Sequence, residues 1–203
     1  MLIAAPPDGL CLDFANTRGW RGRANPTEDL KAPADLIAWI GKRGGLAETA
    51  LDGLAEAIKA APQRGEALLA EATRLREAIY RIFSAVAEGR AVADADFAVL
   101  AQALAAAPAR SRLARADGGY AWEVDIGRLE GEAAAPALLA PVLWSAGDLM
   151  LQAEGRRIRR CANDQCLWLF VDDSKSGTRR WCDMSSCGNR AKAKRHYARV
   201  KGK

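Results

Sequence analysis

The chain has 203 residues; 50% are hydrophobic, 27% are charged, and the formal net charge is +5. This composition supplies the core of one large domain or two small ones and excludes a disordered chain. The longest uncharged stretch, residues 133–147, contains two prolines and is shorter than the roughly 20 apolar residues that a membrane helix needs, so we expect no membrane span.

Helices separated by glycine and proline breaks dominate the amino-terminal part, and the predicted fold is mainly α. The clearest helix covers residues 66–88, where apolar side chains recur at steps of three and four, and Gly89 follows as a carboxy-terminal cap. Four further helices are predicted: a short one opened by Pro33 and Asp35, one through Leu51, Leu54 and Ile58, one capped by Asp94 or Asp96, and one from about Ala137 to Gly155 with a kink at Pro141.

One β element is predicted within this helical part. Asp117, Gly118 and Gly119 stand between residues 112–116 and the alternating Tyr120, Trp122 and Val124. An Asp-Gly step between two such runs is typical of a tight β-hairpin.

The charge of the chain is segregated. Residues 156–203 hold 14 Lys or Arg against 4 Asp or Glu, a net of +10, whereas the first 155 residues carry a net of −5. A compact basic module is typical of proteins that bind phosphate, because ordinary solvated faces mix both signs. We therefore predict two domains, 1–155 and 156–203. The alternative, a soluble basic tail, is weakened by the aromatic residues and the cysteines in this segment.

The basic segment holds four of the five cysteines as two C-x4-C pairs, separated by 15 residues: Cys161, Cys166, Cys182 and Cys187. This is the spacing of metal ligands, and four thiolates around a tetrahedral ion point to structural zinc. Two disulfides are disfavoured because residues 1–8 contain no signal peptide pattern, so that a reducing cytoplasm is expected. An iron–sulfur cluster is a further alternative. We expect residues 167–171 and 179–181 to form a hairpin that brings the two pairs together.

Zinc would have two consequences for this segment. A 48-residue module buries too little surface to be stable alone, so the metal would supply much of its folding free energy. Four cysteine ligands leave no coordination position for water, which excludes catalysis at the metal. With one histidine in the chain and no Ser-His-Asp pattern, we expect no enzyme.

A basic helix is predicted to begin at Cys187. On a helical projection Lys192, Arg195, His196 and Arg199 share one stripe, and Arg190, Lys194, Tyr197 and Lys201 lie nearly opposite. A helix with cations on both sides fits between phosphate strands better than against a protein core. Alternatively some of these cations, Arg190 above all, balance the negative charge of the zinc–thiolate centre.

Other side chains receive structural interpretations. Trp168, Phe170 and Trp181 are expected to fill the small core behind the metal, with base stacking as the alternative. Asp172, Asp173 and Asp183 are expected in turns. The unpaired Cys11, between two leucines, is expected to be a buried apolar residue.

These motifs resemble a known pair of families. Cys187-Gly188-Asn189-Arg190, with the three cysteines before it, resembles the CGNR zinc finger, and Leu10 to Thr17 is similar to the opening signature of the ABATE domain that precedes this finger in bacterial proteins. The resemblance covers nearly the whole chain. It implies a helical, Jann-2411-like first domain, a treble-clef-like finger, and a role as a stress-induced transcription regulator.

The leading hypothesis is a cytoplasmic regulator whose finger binds duplex DNA. The candidate contacts are Arg179, Arg180, Asn189, Arg190, Lys192, Lys194, Arg195 and Arg199. Most would contact phosphate, and specificity would require Asn189, Arg195 or another side chain to reach base edges. Because one finger covers little DNA, we expect a homodimer built through the helical domain.

Three other functions are weighed. The finger could bind RNA or a protein of the transcription machinery instead of DNA. Asp13 and Asn16 could line a ligand-sensing pocket; with Arg18 they could form an active site, although capping and a buried hydrogen-bond network explain them more simply. Oxidation of the zinc thiolates could also couple the protein to stress, by releasing the metal.

Overall fold

The computed structural model describes residues 2–3, 5–44, 46, 48–116, 119–124, 134–152 and 157–201, without the side chains of 48–50, 195–196 and 198–200. Along the chain these residues form β1 (Leu2–Ile3), α1 (Leu10–Ala15), β2 (Arg18–Gly19), β3 (Thr27–Glu28), α2 (Pro33–Arg43), α3 (Glu48–Ala60), α4 (Pro62–Ala87), α5 (Asp94–Ala106), β4 (Arg112–Ala116), β5 (Gly119–Glu123), α6 (Ala134–Leu138), α7 (Ala140–Leu151), β6 (Ile158–Arg160), β7 (Leu169–Val171) and α8 (Asn189–Lys201). The predicted mainly helical fold class is confirmed.

The central element is α4, the helix predicted over 66–88. It is 26 residues long, and it packs against α1, α2, α3, α5 and α6. The helix ends in a Schellman motif, because Gly89 has φ +65°, Gly89 N donates to Val86 O, and Arg90 N donates to Ala85 O. The capping role predicted for Gly89 is therefore confirmed. Its apolar stripe, including Leu75, Ile79 and Phe83, is fully buried in the main core.

Helices α2, α3 and α5 lie where the sequence predicted them, with one correction. The residue that caps α5 is Ala93, without a side-chain hydrogen bond, so neither Asp94 nor Asp96 is the cap. Both carboxylates lie in the first turn, near the positive end of the helix dipole. Asp96 is instead held by Arg81 of α4, whose Nη2 lies 2.6 Å from its Oδ1.

The last predicted helix of the amino-terminal part is broken rather than kinked. Leu139, at φ −90° and ψ 10°, separates α6 from α7, and Pro141 lies in the first turn of α7. Proline has no N–H to donate to the preceding turn, so the chain starts a second helix at this point. The predicted end near Gly155 lies outside the described residues, since α7 ends at Leu151.

The predicted hairpin is present as β4 and β5, which pair from Arg112↔Glu123 to Ala116↔Gly119. Their connection at 117–118 lies outside the described residues. The sequence did not indicate a third strand, but β1 pairs with β5 through Ile3↔Trp122 and makes the sheet order β1-β5-β4. Strands of two residues are too short to show an alternating pattern, so β1, β2 and β3 were not predicted. Helix α1 was missed because six residues are too few to show a helical period.

Strands β6 and β7 form a separate two-stranded sheet that packs on α1 and α4. Ile158 and Leu169 of this sheet are buried in the main hydrophobic core together with α1 and α4 residues. The residues on both sides of the predicted boundary therefore share one core, and the boundary itself, after residue 155, remains a prediction. In the part of the chain that the structure describes, no helix combines the length and the apolar character needed to cross a membrane.

Candidate functional site

The first cysteine pair lies in the turn that joins β6 to β7. Arg160 pairs with Leu169 at the end of the ladder, and Cys161 N donates to Trp168 O at 2.8 Å. Asn163 shapes the turn, because its Oδ1 accepts from Gln165 N at 3.1 Å and its carbonyl accepts from Cys166 N at 2.9 Å. Both sulfurs are therefore held at the tip of a hairpin.

This arrangement corrects one prediction. The strand at Leu169–Val171 pairs with Ile158–Arg160, so the predicted hairpin between 167–171 and 179–181 is wrong. The cysteine turn provides the closer partner, because it reverses the chain directly before β7. Residues 179–181 approach the metal ligands differently: Arg180 O accepts from Ala162 N at 2.8 Å.

Two aspartates shape the path to the second cysteine pair. The buried Asp172 accepts hydrogen bonds from Ser174 Oγ at 2.5 Å, Ser174 N at 3.1 Å and Arg179 N at 2.9 Å. Asp183 caps a single π-helical turn, Met184–Gly188, by accepting from Ser186 N at 2.7 Å. Their predicted roles in turns are confirmed. Cys187 lies in that π-helical turn, and α8 follows directly.

The four sulfurs form a closed cluster. The Sγ atoms of Cys161, Cys166, Cys182 and Cys187 all lie within 4.8 Å of one another. The Cys166–Cys182 and Cys182–Cys187 separations are 3.7 and 3.9 Å. A tetrahedral ion with Zn–S bonds of about 2.3 Å needs sulfurs about 3.8 Å apart, so the donor set fits zinc. Asn163 Nδ2 donates to Cys187 Sγ at 3.4 Å, as a supporting contact of a metal ligand would.

The four thiols of the cluster differ in their proton equilibria. Hydrogen bonds with Cys166 and then Cys182 lower the pKa of Cys161 to about 2. The same contact with Cys161 raises the pKa of Cys166 to about 12, and contacts with Cys161 and Cys166 raise the pKa of Cys182 as well. Without a metal, one thiolate is stabilised at the expense of its neighbours. Four thiolates can coexist at such short distances when a divalent ion neutralises them.

Two family models match the chain. One is ABATE, described as "Putative stress-induced transcription regulator", over residues 8–153. The chain belongs to the ABATE family. The second model is the CGNR zinc finger, over residues 157–200, and with the four clustered sulfurs it identifies structural zinc as the cofactor. No curated protein matches the chain. We refer below to residues 8–153 as the ABATE region and to 157–200 as the CGNR finger.

Aromatic side chains of both regions pack around the metal ligands. Phe170 is buried with Cys161, Cys166 and Cys187, and Trp181 packs against them, as the sequence predicted. For Trp168 the same prediction is wrong, because its side chain remains 38% exposed and does not belong to this cluster. The third aromatic partner is Trp20 of the ABATE region, which sequence reasoning missed because no local pattern links it to residues more than 140 positions away.

The predicted nucleic-acid contacts have different surroundings. Arg179 donates through Nε to Trp181 O at 2.9 Å and through Nη2 to Cys182 O, and it lies over the Phe170 ring. Arg180 lies over Trp181 and is exposed. Both arginines are exposed, but Arg179 is hydrogen-bonded to the metal loop, and the Arg180 side chain makes no such bond to a described residue.

The candidates on α8 also differ. Arg190 lies 4.5 Å from the centre of the Trp20 ring, and Asn189 Nδ2 donates to Ser185 O at 3.1 Å. Lys192 and Lys194 are exposed, and neither forms an ion pair with another described residue. The side chains of Arg195 and Arg199 lie outside the described part. Their assignment, like that of the other contacts, remains a prediction.

Asn16, one of the two residues of the predicted ligand pocket, is used inside the protein. Its Nδ2 donates to Leu169 O at 2.8 Å and its Oδ1 accepts from Leu169 N at 3.0 Å. Asp13 pairs with Arg43 at 2.8 Å on the surface; burial raises its pKa, and Arg43 partly counteracts this effect. For Asn16, the two hydrogen bonds to Leu169 match the simpler explanation, a buried hydrogen-bond network. The pocket itself stays a prediction without a structural observation behind it.

A partly buried ion network was not predicted. Arg76 of α4 is 2% exposed and donates to both carboxylate oxygens of Glu28, at 2.6 and 2.7 Å. Glu77 accepts from Arg21 at 2.7 and 3.1 Å. Burial raises the pKa of Glu28 and Glu77, but hydrogen bonds from Arg76 and Arg21 outweigh it, so both pKa values lie below the usual range. The network fixes the β2–β3 ribbon on α4.

Cys11, as expected, is fully buried, which raises its pKa to about 12.

Proposed function

We propose that this ABATE protein is a transcription regulator whose zinc-bound CGNR finger binds duplex DNA, with α8 as the main contacting element. The observation that carries the proposal is the composition and position of α8. The helix has six Lys or Arg and no Asp or Glu, and it begins two residues after the last zinc ligand. The metal centre would therefore fix the direction of a strongly cationic helix.

Internal contacts divide the cations into two groups. Arg179 is bonded to carbonyl groups of the metal loop, so it is a positioning residue. Lys192, Lys194 and Arg180 are exposed and have no carboxylate partner among the described residues, which leaves their charge available for phosphate. Such contacts would position the protein on DNA. Base recognition by Asn189 or Arg195 would add specificity, and a homodimer would lengthen the recognised site.

We propose no catalytic function. A zinc ion with four thiolate ligands has no open position at which water or substrate could bind. The zinc would act through folding, by joining the two cysteine turns to the start of α8.

The binding experiment measures the affinity of the zinc-loaded protein for a labelled DNA duplex over a range of salt concentrations. We expect the Lys192→Gln, Lys194→Gln double variant to bind more weakly at low salt. The slope of log affinity against log salt concentration should become less steep by about 1.8, because each lost phosphate contact on duplex DNA removes about 0.9 from this slope. The matched control is Lys31→Gln with Lys42→Gln, two exposed lysines of the ABATE region, which should leave the slope unchanged.

Recovery of bound DNA across the genome tests the regulatory role. Discrete sites that the double variant loses would support a sequence-specific regulator. Equal affinity for duplex DNA, RNA and an acidic polymer would contradict it. Selective capture of RNA or of a transcription protein, with no duplex binding, would instead favour the interaction-module alternative.

A further inference from the structure

The ABATE region places a tight turn, residues 20–23, directly against the metal-binding turn of the CGNR finger. Arg23 N donates to Trp20 O at 2.9 Å, and Gly22 N donates to Gln165 O at 3.2 Å. Gln165 lies between the first two zinc ligands, and Trp20 packs against the cluster of buried residues that contains Cys161, Cys166 and Cys187. The turn therefore lies directly against the metal centre.

The position of this turn is fixed by several independent contacts. The Arg21 side chain donates to Glu77 and, at 2.9 Å, to Ala15 O, and its guanidinium lies 3.7 Å from the centre of the Tyr80 ring. Trp20 has φ +51°, a left-handed conformation that costs energy for a non-glycine residue and persists where the surroundings enforce it. The next side chain along the turn, Arg23, consequently projects from a rigid base.

Arg23 meets a cation of the finger on one indole ring. The guanidinium carbon of Arg23 lies 3.8 Å from the centre of the Trp20 ring, and that of Arg190 lies 4.5 Å from it. The two carbons are therefore at most about 8.3 Å apart, the sum of these two distances. Both side chains are exposed, and neither has a carboxylate partner within the described ranges. Two like charges from different regions are thus brought to the same indole ring, and among the described residues no carboxylate offsets them.

We propose that Arg23 and Arg190 jointly bind the phosphate backbone of the nucleic acid, so that the binding surface extends from the finger onto the ABATE region. The inference rests on the proposed function. Guanidinium groups bind phosphate through paired hydrogen bonds, and their separation on Trp20 allows one phosphate, or two successive ones of a strand, to contact both. Arg190 also lies in the first turn of α8, where the helix dipole adds to the attraction of an anion.

A purely structural role is the competing explanation. Two cation–π contacts on Trp20 could simply hold the turn against α8. The two roles predict different results: removing a structural contact lowers thermal stability and leaves DNA affinity unchanged, whereas removing a phosphate contact lowers affinity and its salt dependence. The Arg23→Lys variant separates the two roles further, because lysine keeps the positive charge but lacks the flat group that stacks on the ring.

The experiment compares Arg23→Gln, Arg23→Lys, Arg190→Gln and the double glutamine variant with the wild type, each zinc-loaded. We expect Arg23→Gln to weaken duplex binding on the order of tenfold and to reduce the salt slope by about 0.9, with Arg23→Lys intermediate. The double variant should lose less than the sum of the single losses if one phosphate is shared. Zinc content and melting temperature are measured for every variant, so that a folding defect is recognised.

The matched control is Arg64→Gln. Arg64 is exposed in the first turn of α4, 16 positions and hence about 24 Å along the helix from Tyr80. The Tyr80 hydroxyl donates to Leu167 O of the finger at 3.0 Å. Arg64→Gln should leave the affinity for duplex DNA unchanged. If Arg190→Gln weakens binding and Arg23→Gln behaves like Arg64→Gln, the composite surface is wrong although DNA binding stands. If the wild type does not bind duplex DNA at low salt, the proposed function itself fails.

Discussion

The side-chain amide of Asn16 bonds to the backbone of Leu169 as a neighbouring β-strand would. Nδ2 donates to the carbonyl at 2.8 Å and Oδ1 accepts from the amide at 3.0 Å. Both residues are buried. β7 pairs with β6 on one side only. On its other side, Asn16 of the ABATE region supplies the hydrogen-bond partners of the Leu169 backbone.

Replacing Asn16 should therefore destabilise the whole chain. Asn16→Ala leaves the buried N–H and C=O of Leu169 without this partner, and we expect the free energy of unfolding to fall by roughly 2–4 kcal/mol. Urea denaturation of the zinc-loaded protein measures the change. Asn25→Ala, at an exposed position of the β2–β3 connection, is the control and should stay within about 0.5 kcal/mol of the wild type. A similar result for both variants would refute the assigned role.

Gly22 provides a steric test of the contact between the two regions. A Cβ at this position would overlap the carbonyl oxygen of Asp164, so Gly22→Ala must displace the turn from the metal-binding hairpin. We expect a lower melting temperature and a red-shifted tryptophan emission, because Trp20 becomes more exposed. Gly53→Ala is the matched control: its Cβ meets open space in α3, and alanine in a helix should stabilise the protein by about 0.5–1 kcal/mol. Unchanged emission in Gly22→Ala would contradict the contact.

Removal of zinc should affect more than the finger. Chelation, or Cys187→Ser, takes away the ion that joins the two cysteine turns, and we expect loss of the α8 contribution to the circular dichroism signal. Because Ile158 and Leu169 belong to the main core, the melting temperature of the ABATE helices should fall as well. Elemental analysis should give one zinc per chain. A metal-free protein that melts like the loaded one would overturn this view of the site.

The pH dependence of stability should reveal the partly buried ion pair of Glu28 and Arg76. Since the pKa of Glu28 is held below its ordinary value, its ionised form contributes stability above the unfolded-state pKa of about 4.3, and this contribution is lost as the pH falls through the folded-state pKa. Glu28→Gln should cost roughly 1–3 kcal/mol near pH 7, because Arg76 loses its charged partner. The difference from the wild type should shrink below about pH 4.5. A cost for Glu28→Gln that stays constant between pH 7 and pH 3 would exclude the mechanism.

Peroxide should oxidise two of the zinc-binding cysteines. Cys182 is the least buried of the four, and its sulfur lies 3.7 Å from that of Cys166. Oxidation of these two thiols by one peroxide would form a disulfide and two water molecules, and zinc would be released. We expect zinc loss and weaker DNA binding in parallel, both reversed by a reductant with added zinc. Retention of the metal after peroxide treatment would eliminate a redox link to stress.

The local features of this fold were predictable from the sequence. The apolar stripe and Gly89 define α4, and the cysteine spacing defines the metal ligands, because each pattern lies within one continuous segment. The predicted finger hairpin was wrong because a local pattern does not show which of two nearby segments, 158–160 or 179–181, pairs with β7. The contacts of Trp20 and Asn16 with the finger could not be predicted for a related reason: Leu169 lies 153 positions from Asn16, and no periodicity encodes a contact over that distance.

The docking of Gly22 on the metal-binding turn also limits how such proteins can be recombined. A chimaera joined between the two family matches would receive its finger from one parent and the opposing turn from another, and any mismatch at Trp20, Gly22 or Asn16 would leave the grafted sheet without its counterpart. Exchanging the finger among relatives should succeed only when residues 16–23 travel with it.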